Sequence, residues 1–294
     1  MMEMSGLVQQ MVKIWSEDTG TDVGVNRLRA LSGGSINQAF CLETSLGSFF
    51  LKYNTANRFP GMFEAEARGL RLLNNAGVIR IPNVVYVGST QSHVFLILEF
   101  LDRSPQQKDF WETFGRKLAA LHRCSSDQFG LDHSNYIGSL TQSNTGHIHW
   151  HTFFIEERLE PQLRLASNAG LISDSLTASF KTLFSRMVDM FPVEQPSLLH
   201  GDLWSGNFLI GPQGEPCLID PAVYFGHREM DLAMTRLFGG FEAKFYRAYQ
   251  EVWPLQSGWQ ERMDLCNLYP LMVHVNLFGG GYLSQVKDIL RRFV

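Results

Sequence analysis

The string His200-Gly201-Asp202-Leu203-Trp204-Ser205-Gly206-Asn207, followed thirteen residues later by Asp220-Pro221-Ala222, constrains this chain more than any other feature. It sets three oxygen-bearing side chains, Asp202, Asn207 and Asp220, at a spacing suited to phosphoryl transfer. That chemistry needs a carboxylate to accept the proton of the attacking hydroxyl, and two further oxygen ligands to hold Mg²⁺ against nucleotide phosphates. Asp202 fits the base, and Asn207 and Asp220 fit the metal ligands. A lone His-Gly-Asp is often only a turn whose Asp caps local amides, but the full string needs many independent positions to coincide. Its flanks agree: residues 197–199 and 217–219 read as short buried strands delivering the loop and Asp220. A strand over 208–210 and the turn Gly211-Pro212-Gln213-Gly214 lie between them, so the two metal ligands face each other across a hairpin.

The five-residue step from Asp202 to Asn207, with a metal-binding Asp at a strand end, parallels the protein-kinase arrangement. At 294 residues the chain is long for one compact domain, which favours two lobes sharing a cleft. Hydrophobic residues at 45% and charged residues at 18% provide a substantial core and exclude the disordered class. A net charge of −4 without a Lys/Arg cluster argues against a nucleic-acid partner. The apolar run over 94–98 is too short to span a bilayer, and the N-terminus lacks a basic region followed by an apolar core. No membrane association and a cytoplasmic location are therefore expected. Cys41, Cys124, Cys217 and Cys266 have no C-x-x-C spacing and read as reduced and mostly buried.

Apolar spacing predicts a helix over 5–17, strands over 25–31, 39–44 and 48–53, a helix over 63–74, and strands over 84–88 and 93–100. These make a small β-rich lobe, residues 1–101. From residue 105 the pattern turns helical, over 110–124 and 150–167, and gives a mainly α lobe, residues 102–294, with the catalytic hairpins before its last helices. The expected fold class is α+β, a protein-kinase-like bilobal fold with a small antiparallel-β N-lobe.

The segment 32–37 lies between the first two strands, where Gly33, Gly34 and Ser35 can turn backbone amides toward phosphate oxygens. Lys52, ending Phe49-Phe50-Leu51-Lys52, takes the position from which a kinase lysine reaches the α- and β-phosphates of ATP. Its partner should be a carboxylate on the following helix. Glu64 and Glu66 both qualify, and Glu66 is preferred because it borders the stripe Phe63, Ala67 and Leu70. The run 96–101 falls at the lobe junction, where backbone groups around Glu99 and Leu101 can pair with the adenine edge.

Taken together, the segments SGGSIN, FFLKYN, FEAEARGLRLL, FFIEERLEPQLRLA, LLHGDLWSGN, DPAVYFGHREMDLAM and NLFGGGY resemble the fructosamine kinase (ketosamine kinase) family over nearly the full length. The resemblance implies ATP-dependent phosphorylation of a sugar hydroxyl, typically O3, on a ketosamine or glycated protein. Such phosphates release the free amine, so the implied role is deglycation. It further implies Asp202 as base, Asn207 and Asp220 as Mg²⁺ ligands, Lys52 with Glu66 as the phosphate-positioning pair, and His200 and Asp231 as supports. Trp204 is a candidate platform for the sugar, although core packing explains a tryptophan equally well, and His274 matches a family position near the acceptor pocket. Several family members carry cysteine where this chain has Ser35, so a redox-switched dimer is not transferred; a monomer or weak dimer is expected. Choline, homoserine or aminoglycoside kinases of the same fold, and a nucleotide-binding module without catalysis, are the alternatives.

His147, His149 and His151 alternate as metal ligands might on a strand, but they adjoin a helical pattern and read as structural. The cluster Glu156-Glu157-Arg158 reads as helix-surface charge or lobe packing.

Overall fold

The computed structural model describes residues 2–31 and 36–294. The first part comprises α1 (Met2–Thr19), β1 (Val25–Ala30), β2 (Gln38–Thr44), β3 (Gly47–Thr55), α2 (Met62–Asn75), β4 (Val84–Ser89) and β5 (His93–Glu99). Its five strands form one antiparallel sheet in the order β1-β2-β3-β5-β4. Successive side chains on a strand point to opposite faces, so each strand serves two packing layers. On one face Leu51 and Tyr53 of β3 join Phe40, Leu42, Phe95 and Ile97 under the α1 stripe Val8, Met11, Val12 and Trp15. The other face carries α2, whose Phe63, Ala67, Leu70 and Leu73 recur at helical spacing and are buried.

The rest is mainly helical. In order come α3 (Phe110–His122), a ribbon of β6 (Asn135–Ile137) and β7 (Leu140–Gln142), and α4 (Trp150–Phe153), which passes through a π-helical turn, Phe154–Leu159, into α5 (Glu160–Asn168). Then follow α6 (Asp174–Phe184), β8 (Ser197–Leu199), the ribbon of β9 (Phe208–Ile210) and β10 (Pro216–Leu218), and β11 (Tyr224–Gly226), which pairs with β8. The chain ends with α7 (Glu229–Leu237), α8 (Ala243–Val252), α9 (Trp259–Phe278) and α10 (Leu283–Phe293).

Phe208 immediately follows Asn207 and sits in a cluster with Phe110, Trp111, Phe114, Phe241 and Phe245, whose ring centres lie 5.0–6.4 Å apart. Aromatic pairs at such distances contribute about 0.5–1.5 kcal/mol each beyond burial of area, so β9 is anchored directly beside the loop 200–207.

One expectation is corrected and one alternative is decided. The helix expected over 150–167 is interrupted by the π turn, which adds a residue to the helical count. Of the two readings of the Glu156-Glu157-Arg158 cluster, packing holds for Arg158, near the end of that turn: it is fully buried, its guanidinium carbon 4.0 Å from the Tyr224 ring centre and 4.5 Å from that of Phe153. It donates to Ser143 O and Asn144 Oδ1, so the charge is desolvated against π faces and fixed acceptors rather than left unpaired. Nearby, His147 Nε2 meets Glu157 Oε1 at 3.1 Å, while the His149 and His151 rings stack on each other.

Candidate active site

The alternation that turns Leu51 and Tyr53 toward α1 turns Phe50 and Lys52 toward α2 and the cleft. On α2, Glu66 lies three residues after Phe63 and four before Leu70, on the inward stripe, whereas Glu64 is exposed. The two periodicities meet: Lys52 Nζ is 2.5 Å from Glu66 Oε1 and 2.7 Å from Asp220 Oδ1. Glu66, not Glu64, is the partner. Burial alone would lower the Lys52 pKa, but the Asp220 and Glu66 carboxylates outweigh it and hold the ammonium above its ordinary value. Lys52 in turn holds Asp220 below the usual carboxylate range, while burial pushes Glu66 upward.

The loop 200–207 is held by its backbone. Gly201 has φ 83°, and a Cβ there would stand 2.0 Å from Ala222 O, so only glycine lets the two segments pass. Asp231, on α7, accepts from His200 N (2.8 Å) and Gly201 N (2.9 Å), and behind it receives His122 Nε2. Burial would raise Asp231, but the His122 hydrogen bond and charge outweigh it and keep the group below its usual range. His200 Nε2 donates to Ile219 O and its Nδ1 accepts from Asp202 N, which fixes a neutral tautomer, and burial lowers its pKa in the same sense.

Asn207 Nδ2 donates to Asp202 O (2.8 Å) and Asp202 Oδ2 (3.0 Å). Its donors therefore point at Asp202, and its amide oxygen is left for an incoming cation. Burial pushes the Asp202 pKa up to about 7, against the Asn207 hydrogen bond, and the Asp220 and Asp231 charges add to the rise. Asp220 has φ 50°, the left-handed conformation, which Asp tolerates better than most residues; its side chain is half exposed to the cleft.

Lys52, Glu66, Asp202, Asn207 and Asp220 line one cavity of about 290 Å³. Its other end is uncharged. Trp204, Met234, Val273, His274, Leu277 and Phe278 close that end, with Asn135 and Tyr136 along the side. The Trp204 indole folds over Gly206, where a Cβ would lie 2.3 Å from the ring, and meets Phe238 edge-on at 6.1 Å. Phe238, Phe278 and Tyr282 surround His274 with ring centres 4.9, 5.5 and 4.9 Å away. His274 Nδ1 donates to Pro270 O (2.7 Å), and burial lowers its pKa, so a neutral ring keeps Nε2 as an acceptor.

Glu99 and Leu101 are not among the residues lining this cavity. The Glu99 carboxylate is taken up by Arg80 and by Asn83 N and Nδ2, while Ile36, Ala39 and Phe50 form the wall. Gly33, Gly34 and Ser35 lie outside the described residues. Asn135, Tyr136 and Phe238 belong to no quoted segment and reach the cavity or the His274 ring only through the fold, whereas Phe278 lies in NLFGGGY, four residues after His274 on the same helix.

The donor set suits a hard divalent cation: a carboxylate and an amide oxygen at the cleft, with three carboxyl groups against one ammonium among the described lining residues. A polyphosphate would enter such a cavity more easily with a cation than alone.

The family model for fructosamine kinase matches residues 7–294. The chain belongs to the fructosamine kinase family. It is 42% identical to a "probable ketoamine kinase" of Synechocystis over 94% of this chain and 93% of that one. It is 38% identical to the chloroplastic protein-ribulosamine 3-kinase of Arabidopsis thaliana, over 98% of this chain and 88% of that one. The crystal structure of a candidate fructosamine-3-kinase from Haemophilus somnus superimposes with a TM-score of 0.86 at 29% identity, covering 96% of each chain. The α+β bilobal fold of this fructosamine kinase family member is thus the fold of its relatives, and the family is one of ATP-using phosphotransferases.

Proposed function

We propose that this protein transfers the γ-phosphoryl group of ATP to a sugar hydroxyl, O3, of a ketosamine such as a fructosamine or ribulosamine adduct. One observation carries the reading: Asp202 and the Lys52–Glu66 pair converge with Asn207 and Asp220 on one cavity whose far end is aromatic and uncharged. Asp202 accepts the hydroxyl proton as that oxygen attacks the γ-phosphorus, and ADP leaves. Lys52, oriented by Glu66, binds the α- and β-phosphates. Asn207 and Asp220 would hold Mg²⁺, which when bound neutralises charge on the transferring group. His200 and Asp231 fix the loop that carries Asp202. Trp204 and His274 meet the acceptor, the indole as a flat apolar platform and His274 Nε2 as a hydrogen-bond acceptor for a hydroxyl or N–H. Residues 1–101 serve the nucleotide and residues 102–294 the chemistry and acceptor.

The relatives named for ketoamine and ribulosamine support the acceptor class. A 3-phosphorylated ketosamine eliminates phosphate and frees its amine, so the net outcome is deglycation. ADP release with Mg·ATP should be measured against ribulose-lysine, fructose-lysine, choline, homoserine and kanamycin, with the phosphate located by NMR. Turnover of the ketosamines with phosphate on O3 is expected. Turnover of only another acceptor would overturn the substrate class.

A further inference from the structure

The β6–β7 ribbon carries a polar chain that has no part in the reading above. Asn135, Gln142, Asn144 and Arg158 are all at least 95% buried and connect to one another. Arg158 Nη2 donates to Asn144 Oδ1 (2.7 Å), Asn144 Nδ2 donates to Asn135 Oδ1 (3.0 Å), and Asn135 Nδ2 donates to Val223 O (2.8 Å). Gln142 Nε2 donates both to Asn135 Oδ1 (2.8 Å) and to Ala222 O (3.1 Å), and its Oε1 accepts from Tyr269 Oη (2.7 Å).

The polarity of this chain is not arbitrary. Arginine has donors only, so Asn144 must present its oxygen to Arg158 and its NH₂ to Asn135. That makes Asn135 present its oxygen inward and its NH₂ to Val223. A flip of any one amide would set oxygen against oxygen among buried groups that have no other partner to turn to. The network therefore delivers two N–H donors to two successive carbonyls, at positions 222 and 223, directly after the Asp220-Pro221 step. Ala222 is also tied on its other side, where its N donates to His200 O (2.9 Å) and its carbonyl presses on Gly201.

We infer that Gln142, together with Asn135, is a positioning residue for Asp220: the two amides clamp Ala222 and Val223, and so hold the left-handed backbone at Asp220 that aims its carboxylate at the cation. The inference rests on the reading of Asp220 as a metal ligand. Gln142 is the informative member, because it is buried and lines no part of the cavity. Any effect it has on cation binding must pass through its partners Ala222 and Asn135. Outer partners that orient a metal ligand typically account for about 10–100-fold in metal affinity or activity.

The test uses the full-length protein. Mn²⁺ binding in the presence of ATP is followed by EPR, and kcat and the KM values for Mg²⁺, ATP and acceptor are measured beside it. Gln142→Met keeps the side-chain length and removes both donors; the expected result is Mn²⁺ binding weaker by about tenfold with a similar loss of kcat, and acceptor KM within about twofold. Tyr269→Phe removes the same tyrosine bond but keeps both donors, and should leave Mn²⁺ binding within about twofold of native. Native Mn²⁺ affinity and kcat in a folded Gln142→Met protein would overturn the inference. If that variant does not fold, Gln142→Glu, which keeps the side-chain shape and replaces both donors with an oxygen away from the cavity wall, must show the same weakening, and native Mn²⁺ binding there overturns the inference instead. Asp220→Asn separates the two layers. Unchanged Mn²⁺ binding in it removes the metal-ligand reading itself, whereas loss in Asp220→Asn with none in Gln142→Met removes only the positioning role.

Discussion

The two ends of the cavity are built on different physics. At the Lys52 end, charges are fixed at 2.5–2.7 Å by secondary-structure periods: the alternation of β3, the stripe of α2 and the turn at Asp220. At the Trp204 end, rings from the loop 200–207, the α7 terminus and α9 meet at about 5–6 Å, and no described side chain there carries a charge. A phosphate is recognised by where charges stand, which tolerates little displacement. A sugar with a variable amine substituent is recognised by apolar area and a few hydrogen bonds, which permits more.

The difference can be broken experimentally. Asp202→Asn should lower kcat by about 10²-fold or more while ATP binding, measured by calorimetry, survives, because the variant removes the proposed base and leaves the proposed cradle in place. Abolished ATP binding would merge the two ends into one. Lys52→Met should act on the nucleotide alone. ATP at a hundred times its Kd stabilises a protein by about 2.7 kcal/mol, and the thermal shift that reports this should largely vanish in the variant at the same ATP concentration, with acceptor KM unchanged.

Trp204→Ala should do the reverse. Loss of one aromatic contact, about 0.5–1.5 kcal/mol, corresponds to about a 2–10-fold rise in acceptor KM, with ATP KM unaffected and Trp204→Phe intermediate. An unchanged acceptor KM would return Trp204 to a packing role. The smallest effect is that of salt. Between about 0.1 and 1 M ionic strength the Debye length shortens from about 10 to about 3 Å, so ATP KM should rise a few-fold while acceptor KM stays level.

The same division explains what could be read from residue order. Charged chemistry needs set spacings, so Asp202, Asn207, Asp220 and Lys52 stand out, and the helical stripe of Phe63 and Leu70 favours Glu66 over Glu64. The aromatic end has less grammar: Trp204, His274 and Phe278 come from a family pattern, whereas Phe238, just after α7, meets the His274 ring only through the packing of α7 against α9. Asn135 and Gln142 are hidden for a further reason. Strands of three residues show no alternation, and a buried amide is indistinguishable in sequence from a surface one. Arg158 inverts the usual expectation, since a basic residue beside two glutamates suggests solvent, yet three rings and two acceptors wait for it inside.

The π turn at Phe154–Leu159 makes chain length itself a constrained quantity. Upstream Trp150, Phe153 and Phe154 face the core, and downstream Gln162, Leu163 and Ala166 do so; at about 100° per residue the mean directions of the two sets would differ by about 170° in an unbroken α-helix, and the extra residue reduces that to about 70°. Deleting one residue within the turn would restore an ordinary helix and rotate one half against the other by about 100°. Either Trp150 and Phe153 or Leu163 and Ala166 would then swing toward water, and Arg158 would lose the Tyr224 ring. A single-codon deletion more than forty residues before Asp202 thus ranks with the loss of a core aromatic, while most substitutions on the outer side of the same turn should pass unnoticed.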